Sequence, residues 1–183
     1  TPRRPPPRRP RRPSHPARMT APSAPDTPGT LTLLAPVTGL VVPLDRVPDP
    51  AFAGRVAGDG ASIDPLDDTV VAPCDGRVVQ VHRAGHALTM LAQGLELIIH
   101  VGIDTVGLRG DGFTPLVQGG TDVTAGTPLL RFDADRVARR ARSLLTQVLV
   151  ANMDRVAAME HCGGRVPAGR DVLLRVRVAG AAH

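Results

Sequence analysis

The chain has 183 residues, enough for one domain that hides about 70% of its extended-chain surface, so neither disulfides nor a structural metal is needed to hold it together. Hydrophobic residues make up 42% but aromatics only 2%, so the core must be built from Val, Leu, Ile and Ala. The net charge of +5 comes from one end: seven of the 22 basic residues lie in residues 1–18, which hold no acid, leaving 15 bases against 17 acids and no charge excess that would suggest a nucleic-acid surface on the remainder.

Residues 1–18, TPRRPPPRRPRRPSHPAR, are Pro/Arg low complexity that cannot bury apolar area, and disorder is expected over 1–30. Three readings compete for this tail. It is a basic arm for nucleic acid or anionic lipid, the end of an interdomain linker, or sequence upstream of a true start at Met19. The last is favoured, because GC-rich DNA read in frame yields Pro, Arg, Ala and Gly. The folded domain is expected over 31–180.

From there the chain reads as short β runs punctuated by Gly and Pro: 30–36, 38–45, 68–73, 76–83, 86–92, 95–102, 127–133, 146–152 and 171–178. Val, Leu and Ile at alternate positions favour half-buried strands. The runs 86–92 and 95–102 form a hairpin across Gln93-Gly94. One echo stands out: APVTGLVV starts at Ala35 and APCDGRVV at Ala72, 37 residues on. Pro-x-x-Gly is a common turn, but the match also suggests a duplicated β unit.

Two helical patches are expected. One follows Phe132, with Val137, Ala138 and Ala141 inward and Arg139, Arg140 and Arg142 outward. The other spans 152–162, with Asn152 as its N-cap. The class is therefore all-β: an antiparallel β-sandwich or barrel-like single domain with pseudo-repeated β units and one or two short peripheral helices.

Cys74 and Cys162 stand 88 positions apart, without a CxxC pattern. No apolar run reaches 18 residues and no secretory h-region follows the tail, so no membrane span is expected and the cytoplasm is the default. There both thiols serve as small, reduced core residues.

Of six histidines, His15 and His183 are near the ends, and His161 closes the second expected helix, where a cation suits the dipole. His82, His86 and His100 lie in the β region. A single His on an apolar strand is usually a satisfied core residue. Three features single out His100. Gly102 permits close backbone approach, Asp104 can orient an imidazole, and His86 sits on the preceding strand of the hairpin.

The segment LIIHVGIDTVGLRGDGF (97–113) resembles the active-site segment of the glucose-type enzyme IIA of the sugar phosphotransferase system. The family pattern is a phosphorylated His, x-Gly-Ile-Asp-Thr-Val, then Leu-x-Gly-x-Gly-Phe. Here it is met by His100, Gly102, Ile103, Asp104, Thr105, Val106, Leu108, Gly110, Gly112 and Phe113. VPDPAFAGRVAGDGASIDP (47–65), VAPCDGRVV, the His86 segment AGHALTM and LTQVLVANMD (145–154) resemble further family landmarks in order, over about Leu33 to Val178.

The resemblance implies a phosphotransferase component with a β-sandwich fold. His100 accepts a phosphoryl group from HPr and donates it to a cysteine of a cognate enzyme IIB coupled to a glucose- or N-acetylglucosamine-type permease. His86 stabilises the phosphoryl group. Asp49 and Asp104, with Gly102 and Thr105, border the site, and Val47, Ala51, Phe52, Val56, Ile98 and Val106 form the partner-binding rim. No cofactor is required. His86 and His100 hold zinc only when a partner supplies a further ligand. The sequence departs from the family at Ala84, where a Thr often stands, and at His82 and Ile98, where Phe is frequent. Ala84 loses a hydroxyl that could orient His86, and His82 either lines the rim or is simply exposed, the latter being favoured.

Rivals are weaker. A biotinyl or lipoyl carrier needs a lysine, and the chain has none. A zinc metallopeptidase of the lysostaphin-like type shares His-x-x-x-Asp, met by His100 and Asp104, but needs a downstream His-x-His that is absent. A regulatory protein that docks on transporters or metabolic enzymes is the main alternative, and in the family it coexists with phosphotransfer.

Overall fold

The computed structural model describes residues 29–180. The expectations for the tail before residue 29, Met19 among them, lie outside the described residues. The strands are β1 (Thr30–Leu34), β2 (Gly39–Val42), β3 (Asp59–Pro65), β4 (Thr69–Val71), β5 (Gly76–Val81), β6 (Ala87–Ala92), β7 (Leu95–Ile103), β8 (Phe113–Pro115), β9 (Thr121–Val123), β10 (Pro128–Phe132), β11 (Ser143–Val150), β12 (Val156–His161), β13 (Arg165–Val166) and β14 (Val172–Val178). Two short helices, α1 (Pro50–Ala53) and α2 (Ala134–Ala138), complete the antiparallel β fold. The main sheet has eight strands in the order β13-β2-β3-β11-β7-β6-β5-β9, and two three-stranded sheets, β1-β14-β12 and β4-β10-β8, pack with it. Their inward Val, Leu and Ile side chains make one core, with Leu33, Ile63, Val70, Leu97, Ile99, Val148 and Leu174 at most 1% exposed.

The echo at Ala35 and Ala72 marks a genuine internal repeat. The Leu34 amide donates to the Pro73 carbonyl, and Val71, 37 positions on, donates to Pro36. The Ala35 carbonyl accepts from Gly169 and the Ala72 carbonyl from Gly126. The Thr38 hydroxyl accepts from Ala168 and the Asp75 carboxylate from Ala125. The strand order shows the same symmetry: β13-β2-β3-β11 mirrors β9-β5-β6-β7, and β1-β14-β12 mirrors β4-β10-β8. The two halves meet where Ile99 pairs with Val148, so the relating axis passes through the centre of the main sheet.

The second expected helix is not formed. A 3-10 turn at Met153–Arg155 leads into β12, which pairs antiparallel with β14. Ala, Met and Glu are good helix formers, but the pairing with β14 overrides that weak local preference. Asn152 is no N-cap either. Its side chain accepts from the Glu96 amide and donates to the Gly94 carbonyl, tying down the hairpin turn. His161 therefore ends a strand, its Nε2 4.0 Å from Asp59 Oδ1. The first patch is helical only over α2, capped by Asp133 accepting from the Arg136 amide.

Candidate active site

The β6–β7 hairpin builds the site. Its turn, Gln93-Gly94, has positive φ at both residues (48° and 78°), the conformation a two-residue turn needs to match strand twist. That turn fixes the register, closing at Ala92 opposite Leu95 and bringing Ala87 opposite His100. The His86 carbonyl then accepts from the Val101 amide at 2.8 Å. The His86 and His100 rings lie 4.7 Å apart between centroids and nearly perpendicular, at 81°. Residues 14 positions apart in sequence are thus made neighbours by two turn residues.

His100 is held from several sides. Its Nδ1 lies 3.0 Å from the Gly102 carbonyl. A carbonyl can only accept, so the proton of the neutral ring sits on Nδ1, and Nε2 carries the free lone pair. Gly102 takes φ 77°, which curls the chain back to place that carbonyl, and a Cβ there would strike Thr105 Cγ2. Thr105 is fully buried, its hydroxyl donating to the Val101 carbonyl at 2.8 Å. Gly102 and Thr105 therefore shape the loop that fixes the ring. Phe52, from α1, also packs on it, with 5.2 Å between the two ring centroids.

His86 is 5% exposed, and its Nδ1 is buried without a hydrogen-bond partner. An unpaired buried acceptor costs less than an unpaired N–H, so the proton resides on Nε2, which is left as a donor. The missing partner fits the departure at Ala84, whose methyl can supply no hydroxyl.

Electrostatics keep both rings neutral. Burial, then the charges of His100 and His82, lower the His86 pKa to about 4. Burial also lowers His100, opposed chiefly by the Gly102 carbonyl. Near neutral pH the site therefore offers one lone pair, on His100, and one N–H donor, on His86.

Asp49 caps α1, its carboxylate accepting from the Ala51 amide at 2.8 Å, and its charge favours protonation of His100. Asp104 is exposed at φ 61°, at the start of the 3-10 turn Thr105–Leu108. Of the expected rim, Val56 (83%) and Val106 (66%) are exposed, Ala51 is exposed, Ile98 is half-buried and Phe52 is 9% exposed. Val47 is 4% exposed and lies beneath the rim, in a small cluster with Leu44, Phe52, Ile103 and Leu149.

Two further neighbours complete the surroundings, of which the sequence reading missed Gln147 and favoured exposure for His82. His82 is half-buried rather than exposed, its ring 6.1 Å from His86, so three imidazoles stand together. Gln147 sits directly opposite His100 on β11, fully buried, its amide donating to the Leu145 carbonyl at 2.7 Å. Only the β7–β11 register could have revealed it.

A family model described as phosphoenolpyruvate-dependent sugar phosphotransferase system, EIIA 1, matches residues 31–156. The glucose-specific EIIA component of Bacillus cereus is 42% identical over 134 residues, covering 73% of this chain and 81% of that protein. The corresponding component of Borreliella burgdorferi is 36% identical over 146 residues, covering 79% and 77%. The N-acetylglucosamine-specific EIICBA component of Klebsiella pneumoniae is 43% identical over 148 residues, covering 80% of this chain but only 23% of that longer protein. The solved structure of glucose permease IIA from Mycoplasma capricolum superposes with a TM-score of 0.74 at 32% identity, covering 80% of this chain and 95% of that one.

Proposed function

Because the chain belongs to the EIIA 1 family of the phosphoenolpyruvate-dependent sugar phosphotransferase system, and is a phosphocarrier for uptake of the glucose and N-acetylglucosamine type, we propose that His100 Nε2 is the atom that carries the phosphoryl group. The observation behind this is the Nδ1–Gly102 carbonyl contact of 3.0 Å, which assigns the proton to Nδ1 and the lone pair to Nε2. Nε2 attacks phosphorus on the donor HPr. The new N–P bond forms as the bond to HPr breaks, and that bond's electron pair stays with HPr. In the second step a cysteine sulfur of a glucose- or N-acetylglucosamine-type enzyme IIB attacks, and the pair returns to Nε2.

Such transfers rely on placement and charge stabilisation. His86 Nε2–H donates to the phosphoryl oxygens, while Asp49 and Asp104 border the group with negative charge that disfavours its settling on His100. Val56, Val106 and Ala51, over a base of Phe52 and Ile98, give partners an apolar face. Such a face suits transient complexes, which bury less than about 1,200 Å². The reading places the protein in the cytoplasm. Among the described residues no helix is long and apolar enough to cross a membrane.

No cofactor takes part in this scheme. Among the described residues no three His, Cys, Asp or Glu side chains are set to hold a metal. Zinc on His86 and His100 would need a partner's carboxylate, since even a catalytic zinc site takes three protein ligands. Phosphotransfer should survive excess EDTA, and activity lost to the chelator together with stoichiometric zinc would contradict this. The reading itself is tested with His100→Ala and His86→Gln. The first should accept nothing from HPr, whereas the second should accept but pass the group on poorly, and acceptance by His100→Ala would reverse the roles.

A further inference from the structure

Beside His86 opens a groove of about 740 Å³, lined by Gln80, His82, Arg83, Ala84, His86, Val106 and Arg109. We propose that this groove is a subsite for the phosphate of a small phosphate ester, bound between Arg83 and Arg109. That ligand class rests on the phosphocarrier reading, since sugar uptake coupled to phosphoryl transfer yields a sugar phosphate.

Four observations support the site. The side chains of Arg83 and Arg109 make no ion pair or hydrogen bond among the described residues, so no carboxylate of the chain occupies either guanidinium. None of the groove's lining residues is acidic, so the concavity that both arginines line offers no counter-charge. The two arginines come from different loops that run side by side, a Cβ at Gly110 standing 3.8 Å from the Ala84 carbonyl. Arg83 is in the β5–β6 turn, where Gly85 packs so closely on Phe113 and Pro115 that a Cβ there would stand 3.2 Å from Pro115. Arg109 follows the 3-10 turn and is itself in the left-handed region, at φ 53°. Non-glycine residues persist there only where the surroundings impose it.

The chemistry matches the ligand. A phosphate monoester carries about −1.5 to −2 charge near pH 7. Guanidinium groups bind phosphate through paired N–H donors. The Gln80 amide and the His82 ring add polar groups, while Ala84 and Val106 supply apolar wall for the organic part. The volume falls within the roughly 300–1,000 Å³ usual for small-molecule sites. Because His86 forms one wall and Val106 belongs to the docking face, an occupied groove obstructs phosphoryl acceptance. The site would let a phosphorylated product slow its own supply.

The test uses the full chain, unphosphorylated, titrated by NMR with glucose 6-phosphate, inorganic phosphate and glucose. Glucose 6-phosphate should give saturable shifts at His82, Arg83 and Arg109, glucose none, and inorganic phosphate weaker ones. The double variant Arg83→Gln/Arg109→Gln should bind the ester at least tenfold more weakly. The ester should slow phosphoryl acceptance from HPr in the natural chain and lose that inhibition in the double variant. His100→Ala should still bind the ester, which separates this site from phosphohistidine chemistry and lets either claim fail alone. Absence of saturable binding, or binding indifferent to the double substitution, would overturn the proposal. Equal affinity for inorganic phosphate would overturn the ester as the occupant. An acidic protein segment that shifts these residues where the ester does not would reassign the groove to a partner.

Discussion

The two halves of the main sheet share one frame but not one site. Carrying the β5/β2 correspondence through the strand registers places His86 on Asp59 and His100 on Leu149. Even the preceding glycines match, Gly85 and Gly58 both having positive φ. Yet Leu149 is fully buried in the small cluster that includes Phe52, and Asp59 is in an exposed ion pair with Arg55. The same backbone positions therefore hold the proposed nucleophile and donor in one half and a core leucine and surface carboxylate in the other. The repeat explains the fold, and the proposed chemistry rests on two side chains of one hairpin. The Leu149 cluster then supports the site from below, because Phe52, which it holds, touches the His100 ring.

Substitutions at equivalent positions break this comparison cleanly. The largest effect is expected at His100. His100→Ala should lose phosphoryl acceptance completely while its unfolding free energy changes by about 1 kcal/mol or less, since the ring is only partly buried. Its counterpart should do the reverse. Leu149→Ala opens a cavity in packed surroundings and should cost about 2–5 kcal/mol in urea unfolding, with acceptance retained by the folded fraction. Full activity in the first variant, or unchanged stability in the second, would dissolve the contrast.

Acid should act next, and through the histidine half. His86 folded has a pKa of about 4, against about 6.5 unfolded, so below 6.5 the unfolded chain binds more protons. Its contribution is present in full above pH 6.5 and is lost as pH falls toward 4. The change approaches about 3 kcal/mol in that window and is reinforced by His100, which is lowered as well. The His86→Gln variant should show a shallower fall of stability from pH 6.5 to 4. A slope equal to that of the natural chain would mean the ring is not held neutral by burial.

The smallest effect is expected at the position equivalent to His86. Asp59→Asn removes an exposed ion pair with Arg55 and should cost about 1 kcal/mol or less, with phosphotransfer unchanged. A transfer defect there would show that the second half takes part in docking.

Much of this was legible in the sequence, for physical reasons that differ by element. The β6–β7 hairpin was readable because Gln93-Gly94 separates two apolar runs. The repeat was readable at Ala35 and Ala72, where turn chemistry demands the same residues twice. Its second half was missed, although PLLRF (128–132) and VLLRV (172–176) echo each other too, on β10 and β14. β3 gave no hydrophobic signal. Its DGASIDP is buried through small residues, and a Cβ at Gly60 would collide with the Val148 carbonyl. β12 carried helix-forming residues and became a strand through pairing alone. In the site, His100 and His86 were marked by a motif and His82 was noted beside them with exposure favoured, whereas Gln147 joins them through a strand register that no local pattern encodes.

The central claim concerns one nitrogen. Phosphorylating the ¹⁵N-histidine-labelled chain with HPr and reading the ³¹P–¹⁵N coupling by NMR assigns the phosphoryl group to an atom. The expected result is a single phosphohistidine at Nε2 of His100, with Nδ1 still protonated and hydrogen-bonded to the Gly102 carbonyl. Phosphorus on His86, or on Nδ1 of His100, would contradict it.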